Sequence, residues 1–594
     1  MPQQYAQTWE LDSLFVGGNR RTGLLSEMNR LTAEIPALKT AFQESAEKEK
    51  TEREWINLLE KVQDLEKRLT EVWSYIHCLL AQDTTDEQAL ILSGKNEQLL
   101  AELQTLKVLL ESRLAEVPDE LLERVCQDER IKPIAFNLYE MRGRAQDRMS
   151  GSLETLASYL SVDGYHAWGE LYNSVVSRIQ IPVEKNGEKV NLSVSQAANQ
   201  LSHPDRSVRQ AVFAEWERAW QKEAGLFSAI LNHLAGFRLQ LYKQRGWEDV
   251  LHEPLAENRM RRETLEAMWS VVEESKSVLG NYLQRKARLL GLPKLSWYDL
   301  SAPLPGENRK FTFDEAARFI IDHFADFSPD LARFAESAFS RRWIEAEDRP
   351  HKRAGGFCTS FPVSGETRIF MTFAGTTDNL STLAHELGHA YHEHVIKDLP
   401  MFAQNYAMNV AETASTFAEF IVSDAVLKKA QTKEQKIALL DQRLRIGVSY
   451  LCDIHSRFLF ETRFYDARRQ GLVQAEELCR IMEEAQRESF RDLLAEYHPH
   501  FWASKLHFYD THFPFYNFPY TFGFLFSTGI YAQARQEGDG FARRYVQLLR
   551  DTGRMNVEDL ARKHLGADLT KPDFWRKAVE FALQDVKEFL LLTE

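Results

Sequence analysis

Between Glu54 and Leu80, in EWINLLEKVQDLEKRLTEVWSYIHCLL, the residues Trp55, Leu58, Leu59, Val62, Leu65, Leu69 and Val72 recur at spacings of three and four. That rhythm draws one apolar stripe down a helix, and such a helix must bury its stripe against a neighbour. The same patterning fills residues 22–130 and resumes for most of the chain beyond. The repeat is not strictly seven-fold, and the chain carries 12 Trp and 36 Phe. A packed bundle is therefore expected rather than a coiled coil. One later helix is expected to start at Asp205 as its N-cap. The Pro- and Gly-rich stretch 291–313 reads as an irregular connector. Two stretches break the helical pattern. RIQIPVEKNGEKVNLSV (178–194) sets Asn186-Gly187 between alternating runs, a hairpin signal. GGFCTSFPVSGETRIFMTFAGTTDN (355–379) has a turn at Ser364-Gly365 and a strand over Arg368–Phe373. The predicted fold class is thus mostly α, many helices with a small β-sheet.

At 594 residues the chain exceeds one ordinary core. We read a helical N-terminal lobe over 1–200, with the hairpin near its end, and a second unit over 201–594. A net charge of −14 disfavours nucleic acid, whose phosphates need a basic footprint, and also an anionic membrane surface. The opening MPQQYAQTWELDSLF has no apolar core of a signal peptide. No run of about 18 apolar residues suggests a membrane span. The five cysteines (Cys78, Cys126, Cys358, Cys452, Cys479) are widely spaced and fit neither a disulfide framework nor a paired metal motif. A reducing cytoplasm is the expected location. The oligomeric state is not readable from these features.

STLAHELGHAYHEHV (381–395) holds four histidines. Leu380, Leu383, Ala384, Leu387 and Tyr391 follow the helical stripe, and Asp378 or Ser381 is positioned to cap its start. His385 and His389 lie four apart, on one face and one turn from each other, so both can chelate one ion. Glu386 stands roughly 100° round the helix from His385 and roughly 60° from His389. It cannot easily join the chelate, but it can reach a water on the metal, which is the logic of the His-Glu-x-x-His motif. A catalytic zinc takes three protein ligands and keeps one position open. His392 lies roughly 10 Å along the helix from His385, too far for the same ion, and Glu393 fails likewise. His394 points elsewhere. The metzincin pattern is excluded, because His392 and Val395 stand where it needs Gly and His.

The third ligand is sought on the next helix, MNVAETASTFAEFIVSDAVL (408–427). Its apolar stripe leaves Glu412, Thr416, Glu419 and Ser423 together on another face. Glu412 completes a His-His-Glu set if this helix folds back on the first. Asn409 and Glu412 also fit a capping box, which would account for Glu412 without a metal. Glu419 is expected to support a histidine ligand from behind.

TLAHELGHAYH followed by AETASTFAE resembles the oligoendopeptidase F branch of the thimet-oligopeptidase-like zinc metallopeptidases. GGFCTSF with IFMTFAGTTDN is similar to the same branch, as are the opening WELDSLF and LHFYDTHFPFYNFPYTFGFLFSTGIYA (506–532). The resemblance implies a multi-helix clam-like fold with a deep channel, a catalytic domain over 201–594, and one zinc ion per chain. It implies cleavage of short unfolded peptides, with His385, His389 and Glu412 as ligands and Glu386 as the catalytic carboxylate. It further implies that His507, Tyr516 and Tyr520 stand over the substrate, with His512 as an alternative to His507. Where the family often has tyrosine after the glycine of this block, this chain has Phe524.

The expected mechanism is Glu386-assisted attack of zinc-bound water, with the oxyanion held by zinc and by Tyr516, Tyr520 or His507. The strand Arg368–Phe373 is expected to pair with the peptide backbone. A carboxypeptidase or dipeptidase of related fold is the alternative enzyme. A helical scaffold with a structural metal is the alternative outside enzymes, though it has no use for Glu386.

Overall fold

In the computed structural model, residues 4–15, 21–44, 50–185, 188–306 and 310–594 are described. The stripe seen in the sequence lies on the helix Glu52–Gln82, where all seven of its residues are buried. Thr51 opens that helix with a reciprocal cap: its hydroxyl accepts from the Glu54 amide, and the Glu54 carboxylate accepts from the Thr51 amide. Helices Thr22–Glu44, Glu87–Glu116 and Asp119–Gln127 pack with it around a common core that takes in Trp9 and Leu11 of the opening segment. Phe361, Phe370, Phe402 and Ala403 join the same core. The N-terminal helices therefore rest on the sheet and loop that flank the histidine helix. A second, larger core gathers residues from Tyr165 to Phe589. Within it runs the helix Arg206–Arg245, capped by Asp205 as expected and stopped by Gly246 in the left-handed region. No helix among the described residues is long and apolar enough to cross a membrane.

Strands are few. β1 (Gln180–Lys185) and β2 (Glu188–Ser193) form the expected antiparallel hairpin, with Val183 opposite Val190. Its turn, Asn186-Gly187, lies outside the described residues. The second patch makes a three-stranded sheet of β3 (Ile344–Glu345), β4 (Phe357–Phe361) and β5 (Glu366–Phe370), in the order β3-β5-β4. Gly365 makes the β4–β5 turn at a φ of 68°.

This order corrects one expectation. The strand placed at Arg368–Phe373 is β5, and it is central: β3 pairs with it in parallel and β4 antiparallel. Its backbone groups are occupied on both sides, so it has no edge to offer a peptide. The edge strands are β4 and the two-residue β3.

The histidine stretch forms the helix Thr377–Ile396, the motif helix below. Its cap is Thr376, in a reciprocal box with Asn379, and not Asp378 or Ser381. Those two are spent on tertiary contacts: Asp378 accepts from Gln442, and Ser381 donates to Glu419. The glutamate stretch forms the helix Met408–Lys428, lying directly on the motif helix. A Cβ at Gly388 would fall 2.4 Å from Ala414 O and 2.6 Å from Ser415 Cα. Gly388 thus permits a backbone-to-backbone approach that no other residue allows. The third layer is the helix Phe518–Glu537, whose Gly523 packs less closely: a Cβ there would lie 3.1 Å from Asn409 O and 3.3 Å from Glu412 Cβ.

Candidate active site

The close approach at Gly388 brings Glu412 to the two histidines. Nε2 of His385 lies 3.3 Å from Glu412 Oε2, and Nε2 of His389 lies 3.5 Å from the same oxygen. The three ligand-type atoms fall within 4.8 Å of one another. The imidazole rings stand nearly perpendicular, at 84°. The capping-box account of Glu412 is overturned. Ala407 is the N-cap and makes no side-chain cap bond. Asn409 is buried instead against Asn258, donating to its carbonyl oxygen at 2.9 Å. Glu412 turns to the histidines and accepts from Ser415 Oγ at 2.7 Å.

Glu419 stands where the sequence suggested. Its Oε2 lies 3.4 Å from His385 Nδ1, and its Oε1 accepts from Ser381 at 2.9 Å. A carboxylate only accepts, so Nδ1 carries a proton, and in the neutral ring Nε2 keeps its lone pair for a ligand. Burial depresses His385, but the Glu419 hydrogen bond and the charges of Glu412 and Glu419 outweigh it and push it up to about 9. Burial pushes His389 down. Glu412 is held below the ordinary carboxylate range because the two imidazoles and Ser415 outweigh burial. Burial drives Glu386 up to about 7, with His385 opposing and Glu412 and Glu419 reinforcing.

His392 is fully buried, 2.9 Å from Thr552 Oγ1 and stacked on Tyr406 at 4.3 Å, so it is a core residue. His394 packs on Phe334, and Glu393 accepts from Tyr406 at 2.7 Å.

The C-terminal block comes together as well. The His507 ring lies 5.0 Å from Tyr516 and 5.9 Å from Tyr520, and the two tyrosine rings are 5.7 Å apart. His512 is exposed and stacks on His166 at 5.5 Å. Of the two histidines, His507 is the one beside the tyrosines. Burial, Tyr516 and the charge of Glu412 all raise the Tyr520 phenol, which keeps its proton available for donation. Burial and the cations of Arg457 and Lys505 press His507 down to about 4.

A cavity of about 470 Å³ borders His385, Glu386 and Glu419, with Phe420, Tyr450, Phe524 and Phe581 as aromatic walls. It adjoins a second of about 760 Å³, with Thr377, Val426, Leu439 and Gln442 lining both. Sequence reasoning missed Tyr450. Its ring stacks on Phe524 at 4.7 Å and 13°, which brings a tyrosine hydroxyl to the wall where Phe524 offers none. Tyr450 sits in a wide π-type turn, Ser449–Asp453, and no periodicity in the sequence marks it.

A family model described as peptidase family M3 matches residues 199–581, and one described as oligopeptidase F matches 113–180. The chain is 24% identical over 425 residues to an oligoendopeptidase F homolog of Lactococcus lactis, covering 70% of this chain and 69% of that one. It is 21% identical over 597 residues to oligopeptidase PepF of Bacillus subtilis, covering 98% and 87%. The crystal structure of oligoendopeptidase-F from Enterococcus faecium superposes with a TM-score of 0.70 at 18% identity, covering 96% and 98%. That likeness concerns the fold. The expected mostly helical peptidase fold is borne out, and with the family match over most of its length the chain belongs to peptidase family M3.

Proposed function

We propose that this peptidase is a zinc-dependent endopeptidase of short unfolded peptides, with His385, His389 and Glu412 holding one zinc ion. The observation that carries the reading is the convergence of both Nε2 atoms on a single Glu412 oxygen, at 3.3 and 3.5 Å. Two imidazole nitrogens and one carboxylate are the donor types and the number that a catalytic zinc takes. Glu419 behind His385 supports the fit, since it fixes the tautomer a metal needs. Bound there, zinc supplies Lewis acidity, polarising a carbonyl and acidifying water.

The chain's own groups do the rest. Glu386, buried and raised to about 7, takes a proton from water onto its carboxylate and returns it to the leaving amine. Tyr516, Tyr520 and His507 supply donors aimed at the developing oxyanion. The free edge of β4 takes the peptide backbone, in the role first expected of β5. The start of β4 adjoins the catalytic carboxylate: a Cβ at Gly356 would lie 3.3 Å from Glu386 Oε1. The cavity beside Glu386 receives a side chain next to the scissile bond, and its aromatic walls suit an apolar one. The names of the relatives, oligopeptidase and oligoendopeptidase, support peptide substrates of limited length.

Elemental analysis of protein purified without chelator is expected to give about one zinc per chain, and finding none would sink the metal assignment. Glu386→Gln should keep the zinc and lose hydrolysis by about a thousandfold or more. Mass spectrometry of the products of a ten-residue peptide then separates internal cleavage from the trimming expected of a carboxypeptidase or dipeptidase.

A further inference from the structure

Arg457 lies on the helix Ile454–Gln470, outside every motif singled out in the sequence. Its side chain is buried and aimed at the aromatic block. Nη1 lies 3.3 Å from His507 Nδ1 and donates to Asn517 Oδ1 at 3.0 Å. Nη2 pairs with Asp453, and the guanidinium stacks over Phe501 at 5.1 Å. Asn517, next to Tyr516, is held from its other side by Glu461 at 3.3 Å. The arginine is therefore locked in place on several sides, and one of its donors is spent on the imidazole.

We propose that Arg457 is a positioning residue that acts through His507, accepted at Nδ1, so that the ring's single proton sits on Nε2. A guanidinium has only donors and keeps its charge throughout the working range. The nitrogen it faces must accept, so Nδ1 is bare and a neutral ring carries its proton at Nε2. Tyr516 and Tyr520 stand beside the ring. Arg457 thus turns an ambivalent imidazole into a fixed donor. This inference rests on the reading of His507 as a group over the substrate.

The surroundings favour the same state. Lys505 adds a second positive charge, and a hydrogen bond with Asn517 and the charge of Asp453 oppose it more weakly. Across the small cavity bordering the ring stand Arg238, Glu461 and Asp510. With burial leading, the balance keeps His507 neutral down to about 4.

The test uses the zinc-loaded enzyme, a fluorogenic peptide, and the variants R457M, R457K, H507A and R457M/H507A. R457M is expected to lower kcat by about tenfold and to bring in an acidic limb near about pH 6.5, where a released His507 titrates. R457K, which keeps a donor, should recover part of the loss. In the H507A background the loss of Arg457 should cost less than about twofold, because the residue through which it acts is gone. An equal cost in both backgrounds, with no change in pH profile, would make Arg457 a packing residue and overturn the proposal. Spectra of protein labelled with ¹⁵N-histidine, with His507 assigned by its absence in H507A, should show the Nε2–H tautomer. A ring protonated at Nδ1 overturns the proposal directly and leaves the role of His507 standing. Wild-type kcat in H507A overturns it through the reading on which it rests.

Discussion

At the scale of single residues, charge and hydrogen bonding divide four similar histidines into different jobs. His385 is the clearest case: Glu419 fixes its tautomer, and the two glutamates raise it to about 9. Without metal it is protonated at neutral pH. Zinc takes only the neutral ring, so binding must displace that proton. Zinc affinity, measured by chelator competition, should therefore climb about tenfold per pH unit up to about pH 9. Glu419→Gln should flatten that slope and weaken binding by about 10- to 100-fold. A slope unchanged by the variant would remove Glu419 from this role. Tyr520→Phe should lower turnover by about 100-fold while zinc content stays at one per chain. The separation of His385 and His389 from His392 was legible in the sequence, because helical rise alone sets the distances. The burial of His392 against Thr552 was not, since its partner lies 160 positions away.

At the scale of elements, the site exists because two helices touch. Gly388, the fourth residue of the motif, carries no chemistry, yet its missing Cβ sets how near Glu412 comes. Gly388→Ala places a methyl 2.4 Å from Ala414 O and must push the helices apart. Both thermal stability and zinc content should fall, the former by about 1–3 kcal/mol. Gly225, inside the helix Arg206–Arg245, is the control, because a Cβ there meets nothing within 4 Å. Gly225→Ala should stabilise by about 0.5–1 kcal/mol. Helices themselves were easy to read, since each one's periodicity is local. The caps at Thr376 and Ala407 were not, because Asp378, Ser381 and Asn409 are drawn into contacts with other elements. Strand order was equally hidden: Arg368 and its neighbours read as a strand, but nothing local says that both sides of that strand are taken.

At the scale of the whole molecule, distant segments are fastened by buried polar pairs. Glu217, on the long helix Arg206–Arg245, meets His498 and accepts from His500 Nδ1 at 2.6 Å. Burial opposes both charges. The histidines nevertheless hold Glu217 down to about 2, while Cys479 and Glu217 hold His500 up to about 9. The depressed glutamate stabilises the fold above its ordinary 4.5 and loses that contribution as pH falls through about 2. The raised histidine stabilises it below its ordinary 6.5 and loses that contribution as pH rises through about 9. The pair therefore contributes most between those two ordinary values. The Tm difference between wild type and Glu217→Gln should be largest near about pH 5.5 and narrow towards about pH 9.5. A difference independent of pH would assign Glu217 to packing alone. The sequence by itself determined the helices, the hairpin, the histidine pair and the adjacent carboxylate, because each follows from spacing within one element. Only the tertiary structure decided how Glu412 reaches the histidines, which strand of the sheet is central, and that His507 rather than His512 stands with the tyrosines. Those depend on close approaches and charges between residues far apart in the chain, which no local pattern encodes.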